Sequence, residues 1–243
     1  MGFMVDLIFY NYLIGLICLV IGAIQDLRSR EVEDHLWIFM SIVGVMSHLY
    51  LTVVSGDITY ILRSLCGFIL CFILGYIMFL FGVGGGDGKL LAGMGALVPK
   101  YTTPIHTAFG SVLNIGYIPS FPIMVFINGM FLMVFLPIII LIKNLIRGHK
   151  PKDIRHLIAL SFGEKVKVKD IRGKNRLIMG KEDDIKLFPS SEEDDFSKYD
   201  DEEEIYVTPM IPFIVPVTIS YIITPYIGDY IIYLILSCCR IIP

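Results

Sequence analysis

The sequence lacks the short patterns by which a soluble enzyme holds a metal, a nucleotide or a nucleophile. Its five cysteines (Cys18, Cys66, Cys71, Cys238 and Cys239) all fall in apolar segments, with no CxxC pair and no Cys/His ligand spacing. They read as packing residues. The histidines, His35, His48, His106, His149 and His156, make no HExxH or other ligand pattern. A phosphate-binding loop fails as well: Val83 stands where the first glycine should precede Gly88-Lys89, and Leu90 occupies the required Ser/Thr position. Ser47 and His48 are adjacent, so they point to different sides of a helix and make a poor nucleophile and base. No cofactor, metal or nucleic-acid partner is expected. Charge is also scarce: 18% of residues are charged and 55% apolar, with a mean hydropathy of +0.72. That excludes an ordinary soluble domain. The first apolar run has neither a basic leading region nor a small-residue cleavage site, and is expected to be a retained helix rather than a removed secretory signal.

What is present is a series of apolar runs. Residues 5–24, 36–54 and 61–81 are each of spanning length, and 122–142 is another. Between them 90–98 is apolar but short: from Asp87 to Pro99 a helix would be about 20 Å long, against a hydrocarbon core of about 30 Å. Residues 100–122 read as an interfacial connection with a helical turn or two near 108–114, and 206–242 as one kinked span or a span plus an interfacial helix. The expected fold is an all-α polytopic membrane protein of about six transmembrane helices with a small cytoplasmic domain containing some β structure. Its parts are a membrane domain over 1–142, a soluble insert over 143–205, and a C-terminal membrane segment over 206–243. In the insert, the alternation Lys165-Val166-Lys167-Val168-Lys169 and the run Arg176-Leu177-Ile178-Met179 suggest a hairpin or meander.

Basic residues set the orientation, because short cytoplasmic loops accumulate Lys and Arg. Lys143, Arg147, Lys150 and Lys152 put the end of the 122–142 span in the cytoplasm. Counting back, the Arg28/Arg30 turn and the glycine stretch before Lys89 share that side, whereas the outer connections hold only Arg63 and Lys100 near span ends. Asp26 and Asp87 are therefore expected at one depth, near the cytoplasmic face of the bilayer.

The glycine stretch is the oddest part of the chain. Asp87 is set among Gly84, Gly85, Gly86 and Gly88 at the edge of membrane sequence. An ionisable group there is expensive and marks a functional site, while glycines leave room for another backbone beside it; close helix packing is the alternative use of such residues. Two carboxylates at one level in a partly dry site do not both ionise freely and share one proton. The ionised member can then take a proton from water attacking a peptide carbonyl while the protonated member stabilises the forming oxyanion and protonates the leaving nitrogen. By the helix dipole Asp87, which opens a helix, is favoured as the base over Asp26, which closes one. The other class of function open to the pair is a proton relay in a coupled transporter.

Gly84-x-Gly86-Asp87 is the GxGD signature of the intramembrane aspartyl proteases that include the presenilin-type and type IV prepilin peptidases, and Asp26-Leu27-Arg28-Ser29-Arg30-Glu31-Val32 resembles the stretch that carries the other aspartate in prepilin peptidases. The short chain, single late insert and missing CxxC pairs are most similar to the archaeal preflagellin peptidases. The resemblance implies a catalytic dyad of Asp26 and Asp87 and a preflagellin or prepilin precursor as partner, cut after its short basic leader. It also implies the lipid bilayer as surroundings. The methyltransferase activity and cysteine-bound metal of bacterial relatives do not carry over, since those cysteines are missing. Arg28 and Lys89 are candidates to orient the dyad, and Glu31, Glu33 and Asp34 to meet a basic leader, with a solvated loop as the alternative. Pro212, Phe213 and Pro216 resemble a proline-containing segment that lines related sites, or else simply kink a helix. In the insert, the basic half to Lys181 suits anionic headgroups, and the acidic half over 182–204 is either a leader-gathering or a solvated face.

Overall fold

The computed structural model describes residues 2–29, 32–80, 85–100, 118, 120–171, 178–181, 199–208 and 213–239. Ten helices and three strands follow in order among them: α1 Gly2–Ser29, α2 Asp34–Ser55, α3 Thr59–Leu80, α4 Gly85–Leu97, α5 Phe121–Met133, α6 Leu136–Ile146, α7 Ile154–Phe162, β1 Glu164–Lys167, α8 Val168–Ile171, β2 Ile178–Gly180, β3 Glu204–Val207, α9 Ile214–Ile227 and α10 Tyr230–Cys238. By length and composition four stretches suit a membrane span, Leu7–Ser29, α2, α3 and Phe121–Ile146, and a fifth if α9 and α10, bent by 81° at their break, count as one. The helical turn expected near 108–114 lies outside the described residues. The chain divides into two compact units, Met1–Leu132 with Pro212–Pro243, and Met133–Ile211.

In the first unit the short helix α4 is the centre. From Leu90 to Leu97 every residue is buried, which an apolar helix of ordinary side chains does not achieve among three others without being pushed away. Here backbones touch instead. A Cβ added at Gly75 of α3 would stand 2.5 Å from the Cα of Gly88, and one at Gly44 of α2 would stand 2.6 Å from the carbonyl of Ala96. Gly67 of α3 and Gly95 of α4 meet in the same way. Small residues let helices approach this closely where no hydrophobic driving force separates protein from lipid. Hydrogen bonds tie the far end: Ser64 donates to the Ala96 carbonyl at 2.7 Å, and the Asn11 amide donates to Ser47 Oγ at 2.7 Å and the Leu97 carbonyl at 3.3 Å.

Helices α1 and α9 run antiparallel along a seam with heptad spacing. Tyr12, Leu19 and Asp26 lie seven residues apart on α1, and their partners on α9 are Tyr221, Thr218 and Ile214. The two tyrosines stack at 4.7 Å and exchange hydrogen bonds with each other's carbonyls, at 3.2 and 3.0 Å. Gly15 makes this possible, since a Cβ there would lie 2.5 Å from the Tyr221 hydroxyl. On the other side of α9, Ser220 donates to the Val125 carbonyl at 2.6 Å, and Asn128 donates to Thr224 Oγ1 and the Gly228 carbonyl, both at 3.0 Å. The Gly228 carbonyl lies just past the last residue of α9, while the carbonyl that Pro225 deprives of an N–H partner, that of Tyr221 four residues back, accepts from Tyr12 instead. Asp229, beyond the break, accepts the Ile118 amide at 2.7 Å.

The second unit differs from the expected hairpin. β1 and β2 do not pair with each other; β3 lies between them, antiparallel to both. The order follows from burial, since Ile205 and Val207 of β3 close one apolar cluster with Val168, Ile171 and Ile178, while Tyr206 closes the opposite one with Ala159, Leu160 and Met179. A strand apolar on both faces belongs in the middle. Charge supports the same pairing. Glu202 accepts from Lys167 at 2.8 Å and Lys169 at 2.5 Å, Glu203 pairs with Lys181, and Lys165 reaches Glu204 at 3.4 Å. The described end of the acidic segment is thus engaged with the insert's own lysines.

The α3–α4 contact predicts that Gly75→Ala costs about 1–3 kcal/mol, since a backbone must move to admit the methyl, whereas Gly22→Ala, which would meet only side-chain ends, Leu90 at 3.2 Å, Leu36 at 3.6 Å and Val32 at 3.7 Å, costs much less. Thermal unfolding in detergent compares the two, and equal losses would remove backbone contact as the cause. The two ammonium groups on Glu202 pull its carboxyl from the ordinary 4.5 down to about 2. A depressed folded value means stability present above the ordinary glutamate range and lost as pH falls from 4.5 towards 2. Peptic digestion of the full chain across that interval should therefore open the 164–208 region progressively, with a flatter pH dependence in Glu202→Gln. Identical profiles would show that the clip contributes nothing.

Candidate active site

Asp26 lies one turn before the end of α1 and is 8% exposed despite its charge. Its burial is possible because α9 begins beside it: the Ile214 backbone N–H donates to Asp26 Oδ2 at 3.2 Å. The first amides of a helix have no intrahelical acceptor, so a carboxylate at this spot satisfies a need on both sides. Pro216, buried in the same first turn, has no N–H to leave unpaired. It does not kink the helix; the bend comes later, after Pro225.

Asp87 is the third residue of α4. It borders a small, partly open cavity of about 10 Å³, room for no more than about one water, lined otherwise by apolar side chains including Leu19, Leu91, Phe126 and Phe213, and by Ile214. Asp26 and Asp87 are close enough for the charge of one to act on the other. Ile214 is common to both, binding Asp26 through its amide and bordering the cavity of Asp87. The carboxylates from the end of the first helix and the start of the fourth thus converge below the first turn of α9.

The glycines divide. Gly84 lies outside the described residues. Gly88 is taken up by its contact with Gly75, so it serves packing. Gly85 and Gly86 have room: a Cβ at Gly85 would meet only the Phe79 ring at 3.5 Å, and one at Gly86 only Val32 at 3.8 Å. Gly85 also opens on a groove of about 230 Å³ lined by Phe72, Tyr76 and Phe79 of α3 and by Lys89. Lys89 holds Asp34 at 2.6 Å, whose carboxylate also accepts from the Trp37 indole at 3.0 Å. Arg28 is exposed. Among the described residues no group of three or more His, Cys, Asp or Glu side chains comes together as a metal site would need.

Sequence reasoning passed over the amide of Ile214 and the hydroxyl of Thr218. A backbone donor leaves no trace in residue type. Thr218 did leave a signal, a hydroxyl in an apolar helix four residues after Ile214 and three before Tyr221, so that the three share one face of α9.

Residues 13–142, which contain both aspartates and the whole of α2–α4, match the type IV leader peptidase family. Similar proteins include the preflagellin peptidase of Methanocaldococcus jannaschii, 54% identical over 93% of this chain and 97% of that one. That of Methanococcus maripaludis is 52% identical over 91% and 96%, and that of Methanococcus voltae 44% identical over 93% and 98%. A match that spans both carboxylates, with relatives aligned almost end to end, places this multi-pass helical chain in the type IV leader peptidase family.

Proposed function

We propose that this protein is a membrane-embedded aspartyl endopeptidase that removes the short basic leader of preflagellin-type precursors at the cytoplasmic face. The observation that carries the reading is the convergence of Asp26, buried, and Asp87, half-buried, at the first turn of α9, within reach of each other's charge and bordered by apolar side chains. The names of the relatives supply the substrate class. Membership of a peptidase family favours hydrolysis over a proton carrier using the same two groups.

The chemistry follows from one proton held between two carboxylates. The ionised member takes a proton from water as its oxygen bonds to the scissile carbonyl carbon, and the protonated member gives its proton to the carbonyl oxygen. In the second half the proton taken from water passes to the peptide nitrogen, the C–N bond breaks, and the other carboxylate recovers its proton from a hydroxyl of the intermediate. The pair ends as it began. Gly85 and Gly86 leave space beside Asp87 for an extended substrate backbone. Glu33 and Asp34, exposed at the start of α2, suit the basic leader, and the basic residues Arg28 and Lys89 beside the turns suit a cytoplasmic face.

Purified full-length protein in detergent, given a leader-bearing precursor, should lose about 10²–10⁴-fold in cleavage rate with either Asp26→Asn or Asp87→Asn, while helicity and unfolding temperature are kept. Cleavage by both variants at the parent rate would end the dyad reading. The parent should show a bell-shaped pH dependence whose two limbs belong to the pair; a single-limbed profile would show that only one carboxylate titrates in the reaction.

A further inference from the structure

We propose that the first turn of α9 makes Asp26 the proton acceptor of the pair, leaving the proton on Asp87, and that Thr218 is the positioning residue that holds α9 in the register this requires. The inference rests on the dyad reading and assigns its roles. Helix-end reasoning from the sequence favoured Asp87 as base, because Asp87 begins a helix and Asp26 ends one. The tertiary structure supplies what α1 lacks, since α9 brings a second helix N-terminus to Asp26.

Three observations carry the assignment. First, Ile214 N–H donates to Asp26 Oδ2 at 3.2 Å, and a hydrogen bond donated to the ionised form favours that form, as does a helix N-terminus aimed at it. Second, Asp87 faces a water-sized cavity whose lining is apolar apart from itself, which favours the neutral acid. Third, α9 is held to α1 at fixed steps. Thr218 Oγ1 lies 3.2 Å from the Leu19 carbonyl and 2.8 Å from the Ile214 carbonyl. Tyr12 and Tyr221 clamp the pair of helices one step further along. Thr218 is one turn from Ile214, and Leu19 two turns from Asp26, so the hydroxyl sits between the tyrosine clamp and the carboxylate. A helix freed at Thr218 can slide or tilt at its first turn, and the amide leaves Asp26.

The reaction then has fixed directions. Asp26 takes the proton from water as the new C–O bond forms and later passes it to the leaving nitrogen; Asp87 protonates the carbonyl oxygen and regains that proton as the C–N bond breaks. The other described charged or titratable groups at this end of the helices are Arg28 on α1, Glu33, Asp34 and His35 at the start of α2, and Lys89 on α4, with Lys89 and Asp34 paired to each other. α9 contributes none in its first turn.

The test is the pH dependence of kcat/KM with the full chain in detergent and a leader-bearing precursor. Thr218→Val, which keeps the shape and removes the hydroxyl, should lower kcat about three- to tenfold with KM within twofold. It should also move the acidic limb to higher pH by about 1, as loss of a charge-assisted hydrogen bond implies. The basic limb should stay. Thr218→Ser should restore both the rate and the limb. A shift of the basic limb alone would make Asp26 the acid and reverse the assignment, and unshifted limbs would remove Thr218 as a positioning residue. Should the valine variant fail to fold, Thr218→Cys, whose thiol is a weak donor, is read by the same limbs with a smaller shift expected. Loss of the Asn variants' effect would sink the dyad itself, a result separate from any of these.

Discussion

The contact on which the rest depends is backbone against backbone, α3 on α4 through Gly75–Gly88 and Gly67–Gly95, and α2 on α4 through Gly44–Ala96. A helix of 13 residues, about 20 Å long, does not match a bilayer core of about 30 Å, and left to itself would drift towards the surface. Packing by small residues buries it among α1, α2 and α3 instead. Its first turn is thereby held at a set depth with Asp87 on it.

The second half of the site arrives from the other end of the chain. α9 is separated from Asp26 by almost the whole sequence, yet it runs along α1 in register over three steps, tyrosine on tyrosine, threonine on a carbonyl, and amide on carboxylate. The hydrogen bonds do the aligning, while the burial of Tyr12, Leu19, Val217 and Tyr221 supplies most of the adhesion. Polar groups inside a membrane bundle are retained where each finds a partner. Ser220, Thr224, Asn128 and Asp229 obey the same rule around the break between α9 and α10.

The insert follows different physics. Its sheet is three short strands, closed by two small apolar clusters and fringed with exposed ion pairs. Exposed pairs are weak individually, but here four lysines and three consecutive glutamates meet along one strand edge and its preceding turn, so they select the partner of β3 as much as they stabilise it.

Much of this was legible in residue order. Apolar runs separated by charged turns reveal helices because their signal is local, and Asp26, Asp87 and the glycines stand out against hydrocarbon-like surroundings. The shortness of α4 is a matter of counting. Even the heptad of Tyr12, Leu19 and Asp26 is present in the sequence, since all three fall on one face of a helix. What residue order left open were the partners. Whether Gly88 admits a substrate or touches Gly75, whether β1 pairs with β2 or with β3, and which helix end caps Asp26 are all settled by segments distant in the chain. Local periodicity states that a face is apolar or polar, and says nothing of what covers it. The amide of Ile214 is the sharpest instance: every residue but proline carries such a group, so only the packing of α9 on α1 distinguishes the one that meets the carboxylate.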